Sequence, residues 1–186
     1  MMAKIGIILG STRPGRNGEA VAKWVEKLAQ KRSDATFELV DIADYNLPLL
    51  DEPYPAMMQQ YTKEHTKAWS KKISEFDGFI FVSAEYNHSI PGALKNAIDY
   101  LNVEWKNKAV GFVAYGSAGG TRAVEALRLV AGELHMADVR AQVMLNLFTD
   151  FENMSVFTPD PRHEESLNDV FDQVITWSGA LKTLRV

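Results

Sequence analysis

The sequence predicts an α/β fold, a five-stranded parallel sheet in the order 2-1-3-4-5 with helices on both faces. Short apolar runs alternate along the chain with longer stretches of helical period. The runs are apolar on both faces, which is how parallel strands read when helices cover the sheet on each side. The most unusual loops follow the first, third and fourth runs, the place where an open sheet of this kind reverses its strand order.

Lys4–Leu9 (KIGIIL) is the first strand, ended by a Gly-containing loop. From Ala20 the apolar positions Val21, Trp24, Val25, Leu28 and Ala29 repeat with helical spacing. Phe37–Ile42 is the second strand. Tyr61, His65, Ala68, Trp69, Ile73 and Phe76 mark a second helical face, with Lys72 its polar exception. Gly78–Ser83 (GFIFVS) is strand three. Pro91 stands where a first helical residue would, opening PGALKNAIDYL. Lys108–Tyr115 is strand four, and Ala123, Val124, Leu127, Val130, Ala131 and Leu134 form the next helical face. Val139–Leu147 is the fifth strand, and a last helix carries Leu167, Val170, Phe171, Val174, Ile175 and Leu181. Five strands with right-handed crossovers fit the flavodoxin-like order. No repeat or linker interrupts residues 1–186, so one domain is expected, with Ala43–Met57 and Thr149–Arg162 as irregular but ordered excursions. Trp24, Trp69 and Trp177 fall on or near apolar stripes and are expected in the core, as is Trp105.

Composition narrows the function. The chain has 186 residues, 46% of them hydrophobic and 24% charged, values of a folded soluble protein. Twenty Lys and Arg against twenty-four Asp and Glu leave a net charge of −4, too balanced for a dedicated nucleic-acid binder. Cysteine is absent, which excludes disulfides, thiol chemistry, Cys-ligated zinc and iron–sulfur clusters. Four histidines without ligand spacing give no expectation of a metal. The apolar run Ile5–Leu9 is too short for a signal-peptide core, and no stretch approaches the ~20 apolar residues of a membrane helix. A cytoplasmic protein without membrane contact is expected.

Three loops carry the chemistry. Gly10–Gly18 (GSTRPGRNG) combines glycines, the hydroxyls of Ser11 and Thr12, the cations Arg13 and Arg16, and a helix start near Asn17. Exposed amides and the positive end of a helix dipole favour a phosphate. The loop lacks the Lys and hydroxyl of a Walker A motif, and no glycine at 12 or 13 completes a dinucleotide fingerprint, so a metal-free phosphomonoester site remains. The competing reading is a tight turn with two solvated arginines. Ala84–Ile90 (AEYNHSI) offers irregular backbone and the Tyr86 ring to a planar heterocycle, or else is a turn with Ser89 as helix cap. Gly116–Gly120 (GSAGG) permits close backbone approach, and its amides suit the carbonyl edge of a flavin. Ser117 is not a hydrolase nucleophile, because Tyr115 breaks the GxSxG pattern.

GSTRPGRNG, AEYNHSIPGALKNAIDYL and YGSAGGTRAVEALR, in this order, resemble the NADPH-dependent FMN reductases, a family of flavin, quinone, azo-dye and chromate reductases. The resemblance covers essentially the whole chain, with Ala84 where the family pattern has Pro. It implies that Ser11, Arg13, Arg16, Asn17 and Gly18 surround the FMN phosphate. It sets Glu85, Tyr86 and Asn87 along the ribityl chain and ring, mainly through backbone groups, and Gly116, Ser117 and Gly119 along the pyrimidine side. It further implies NADPH or NADH as electron donor, a small-molecule electron acceptor such as a quinone, an azo compound or free flavin, and a homodimer or homotetramer with the helix Gly92–Leu101 at the interface. No side chain is expected to act as a catalytic group, since the cofactor carries the chemistry. The alternative is a flavodoxin-type FMN electron carrier that does not itself oxidise NAD(P)H.

Overall fold

The computed structural model describes residues 2–185. Five parallel strands, β1 (Ala3–Leu9), β2 (Ala35–Asp41), β3 (Gly78–Ala84), β4 (Ala109–Gly116) and β5 (Ala137–Asn146), pair in the order β2-β1-β3-β4-β5. This is the predicted sheet. β3 and β4 are buried at every position, as central strands under two helical layers must be. The edge strands β2 and β5 are buried only in part.

Helices α1 (Gly18–Ala29) and α5 (Arg162–Leu181) lie on one face, over a core that includes Ile7, Val25, Val113, Leu167 and Phe171. Helices α2 (Glu64–Ser74), α3 (Gly92–Asp99) and α4 (Thr121–Glu133) cover the other, over Ile8, Phe79, Phe81, Phe112 and two tryptophans. Trp69 and Trp105 are fully buried, and their indole N–H groups donate to Ala97 O at 2.7 Å and Ile98 O at 3.1 Å. Both carbonyls lie in the last turn of α3, so the two rings pack the core and bond the helix terminus together.

Several boundaries and environments differ from the expectation. Strand β2 ends at Asp41, and Ile42 opens a 3-10 turn over Ile42–Tyr45 whose first amides are capped by the Asp41 carboxylate, which accepts from Ala43 N at 2.9 Å. Pro91 is the residue before α3 and not its first helical one, and Ser89 does not cap that helix. Tyr61 precedes α2, and Thr66 takes a buried position on it. The Thr149–Arg162 excursion contains a short antiparallel hairpin, β6 (Phe151–Glu152) and β7 (Val156–Phe157). Trp177 is 51% exposed and not in the core. Ser178 takes the inward position on that turn of α5, because it lies against Gly78, where any Cβ on the strand would collide with it.

Candidate active site

The three loops predicted to matter meet at the carboxyl edge of β1, β3 and β4. The first follows β1, whose ladder continues one residue further through Gly10 N to Val82 O at 2.9 Å. Asn17 is the residue before α1, yet its side chain does not cap the helix; Nδ2 donates to Met154 O at 2.8 Å, at the tip of the β6–β7 hairpin. The amides of Ser11, Thr12, Arg13, Asn17 and Gly18 meet no acceptor among the described residues. They surround the amino end of a twelve-residue helix, an arrangement that favours an anion.

The two arginines of this loop play different parts. Arg16 forms a two-pronged ion pair with Asp41 and also donates to Ser11 O. Its charge is thereby spent on the end of β2, and it braces the loop. Arg13 has no carboxylate partner among the described residues and lies over the Tyr86 ring, 5.7 Å from its centroid. It is the cation left open to a ligand.

The second loop is a tight turn. Tyr86 and Ser89 exchange backbone hydrogen bonds at 2.9 and 3.1 Å, with Asn87 and His88 between them at φ 49° and 74°. Two successive residues of positive φ define a type I′ turn. The Tyr86 hydroxyl shares a 2.8 Å hydrogen bond with Ser11, joining this turn to the first loop. Arg13, Glu85, Tyr86 and Asn87 line a cavity of about 350 Å³, within the range of small-ligand sites. A larger one of about 430 Å³ lies on the β2 side of the loop, between Thr12, Ile42, Asn46 and Asn96; it touches only the first of the three loops.

In the third loop Gly116 O accepts from Gly119 N at 3.1 Å and from Leu147 N at 3.1 Å, and Asn146 Nδ2 donates to Ser117 O at 3.3 Å. Gly119 and Gly120 have φ 68° and 70°, and a Cβ on Gly120 would stand 2.6 Å from Ala114 Cβ. Only glycine suits that conformation and that gap. The Ser117 and Ala118 amides are left without acceptors among the described residues.

Three groups here carry no role in the sequence-based expectation. Asp41 holds Arg16. Arg122, in the first turn of α4, holds the buried Glu85 carboxylate. The Tyr115 hydroxyl is buried without a hydrogen-bond partner among the described residues and faces Gly18, where an added Cβ would lie 2.8 Å away; burial pushes its phenol well above the usual range. Arg122 and Tyr115 stand within a quoted motif, but a motif does not say which of its residues pair. Among the described residues no cluster of His, Asp and Glu suits a metal, and no helix is long and apolar enough to cross a membrane.

The residues present fit a flavin mononucleotide: an anion cradle at one end, beside it a second loop that lines a cavity with Arg13, and a third loop whose Ser117 and Ala118 amides have no acceptor among the described residues. Comparisons with known proteins agree. The family model described as NADPH-dependent FMN reductase matches residues 3–150. An NAD(P)H-dependent FMN reductase of Nectria sp is 50% identical over 128 residues, 66% of this chain, which spans 64% of that protein's length. One from Schizosaccharomyces pombe is 38% identical over 169 residues, 90% of this chain and 84% of that protein. A quinone reductase of Pseudomonas putida is 35% identical over 131 residues, 67% of each chain. The solved flavoenzyme FerB, an NAD(P)H:(acceptor) oxidoreductase from Paracoccus denitrificans, shares the fold at TM-score 0.74 and 19% identity, over 96% of this chain and 98% of that one. With the loops, their spacing and the family match in agreement, the chain belongs to the NADPH-dependent FMN reductases, oxidoreductases that use FMN and NAD(P)H.

Proposed function

We propose that this protein binds FMN across the three loops and uses it to reduce a small acceptor, a quinone, an azo compound or free flavin, at the expense of NAD(P)H. The observation that carries the reading is the pairing of open amides and an unpaired Arg13 around the amino end of α1 with the Tyr86 turn joined to them through Ser11. The chemistry that FMN would supply when bound is two-electron transfer, from the hydride of NAD(P)H to the acceptor, with NAD(P)+ released and protons exchanged with solvent.

The chain's own residues bind and orient. Amides of Ser11–Arg13 and Asn17–Gly18 donate to the phosphate, with Arg13 adding charge. The Ser11–Tyr86 hydrogen bond sets the distance between the phosphate loop and the turn along the ring. Backbone donors of Ser117 and Ala118 meet the carbonyl side, where negative charge grows on reduction. No side chain acts as nucleophile or is required to move a proton.

A homo-oligomer completes the reading. On α4, Leu129 is 80% exposed, beside a cavity of about 260 Å³ that it shares with Lys95 and Asp99 of α3. An apolar side chain so placed, flanked by charges of both signs, suits a symmetric contact between copies.

The test is an absorbance titration of the purified protein with FMN, then anaerobic addition of NADPH and, separately, NADH. Bound flavin bleached by either nucleotide is the expected result. Bound flavin bleached by neither would favour the electron-carrier alternative, and no binding would overturn both.

A further inference from the structure

Glu85 directly follows β3 with its side chain 3% exposed, and one cation answers it. Its Oε2 accepts from the Arg122 amide at 3.0 Å, in the first turn of α4, and its Oε1 meets the Arg122 guanidinium. The same guanidinium reaches His88 Nδ1 at 3.2 Å, within the Tyr86–Ser89 turn, while its Nε is buried with no acceptor among the described residues. Gly116 makes room for this: a Cβ there would stand 2.9 Å from Glu85 Cβ. One carboxylate thus ties the second loop to the start of α4, directly after the third.

A neutral acceptor would cap α4 equally well, since Ser, Thr or Asn serves that purpose in most helices. Burying a full negative charge is costlier, and the Glu85 carboxylate is tolerated there because Arg122, whose side chain is 38% exposed, pairs with it. The pair also stands beside the two loops assigned above to the ring. A group that gains negative charge on reduction is favoured by a cation nearby and opposed by an anion.

We propose that the Glu85–Arg122 pair is a charge-compensated setting of the flavin's electron affinity. Glu85 cancels the cation that Arg122 would otherwise present to the ring, so the pair sets how readily bound FMN takes two electrons. Both are positioning residues; neither reacts. The inference rests on the flavin reading of the cleft.

Three variants test it. Glu85→Gln keeps an acceptor oxygen for the Arg122 amide and removes the anion; Arg122→Gln removes the cation; the double variant removes both. Each is loaded with FMN, occupancy is followed by flavin absorbance, and the midpoint potential is measured against a reference dye. The potential is expected to rise in E85Q, fall in R122Q and return near wild type in the double variant. Each single shift corresponds to on the order of tenfold in the ratio of reduced to oxidised FMN affinity, about 30 mV for a two-electron couple. Single shifts of the same sign, a double variant far from the wild-type potential, or three unchanged potentials would overturn the proposal as a merely structural effect. Should R122Q fail to fold, the sign of the E85Q shift decides alone. Failure of the wild type to bind FMN would be a distinct result, removing the functional reading and this inference with it.

Discussion

Two arginines three residues apart in one Gly-rich loop look interchangeable as letters, and the structure separates them. Arg16 is held by Asp41 and Ser11 O, so its guanidinium completes a partly buried ion pair; Arg13 is exposed, unpaired among the described residues and stacked on Tyr86. Removing them therefore has different consequences. Arg13→Met is expected to weaken FMN binding roughly tenfold, the cost of one charge-assisted hydrogen bond, with the thermal midpoint of the flavin-free protein unchanged. Arg16→Met leaves Asp41 without its counterion and is expected to cost about 1–3 kcal/mol of stability, with a smaller loss of FMN affinity. Fluorescence titration with FMN and thermal unfolding of both variants check this; the opposite pattern would reverse the two roles. The arginines were legible in the sequence as cations near a phosphate. Which of them is already neutralised was not, since the answer lies 25 residues away on β2.

The β6–β7 hairpin brings a segment outside the three motifs to the phosphate loop, through Asn17 Nδ2 and Met154 O. One buried carboxylate holds its base: Asp150 accepts from Asn146 N at 2.8 Å, Asp160 N at 3.2 Å and His163 Nε2 at 2.9 Å. Burial pushes the Asp150 carboxyl up, but the amides of Asn146 and Asp160 and the His163 ring outweigh it, and its pKa falls below the usual range. A carboxylate with a depressed folded-state pKa contributes stability that is complete above its unfolded pKa, about 3.9, and lost as the pH falls through the folded value. Asp150→Asn is thus expected to be less stable than wild type at pH 7, with the difference closing below about pH 4. Urea denaturation of both proteins at several pH values measures that gap, and a gap independent of pH would refute the assignment. The sequence showed only an irregular stretch here, Thr149–Arg162, followed by a helical stripe. Strands of two residues leave no periodicity to read, and a His–Asp contact between a loop and a helix has no sequence spacing of its own.

At the scale of the whole molecule, the sheet is complete and covered on both faces, yet α4 presents Leu129 to solvent beside α3. Leu129→Glu is expected to shift the protein to monomer in sedimentation velocity, with the far-ultraviolet circular dichroism unchanged. A wild-type monomer would overturn the homo-oligomer reading, and an assembly indifferent to the substitution would move the interface elsewhere. The alternation of buried runs and helical stripes, with loops of distinctive composition after the first, third and fourth strands, was enough to specify strand order and the edge at which those loops meet. Those features are local, repeated and imposed by the need to bury apolar surface on both sides of a parallel sheet. Partnerships were a different matter. Glu85 with Arg122, Arg16 with Asp41, Ser11 with Tyr86 and Asn17 with Met154 join positions 25 to 137 residues apart, and Trp177 is exposed because Ser178 meets Gly78 across the core. The sequence by itself determined the class of fold and the kind of group the chain binds. Only the tertiary structure decided which charges remain free to meet that group, because neutralisation of a side chain depends on what the folded chain brings within a few ångströms of it.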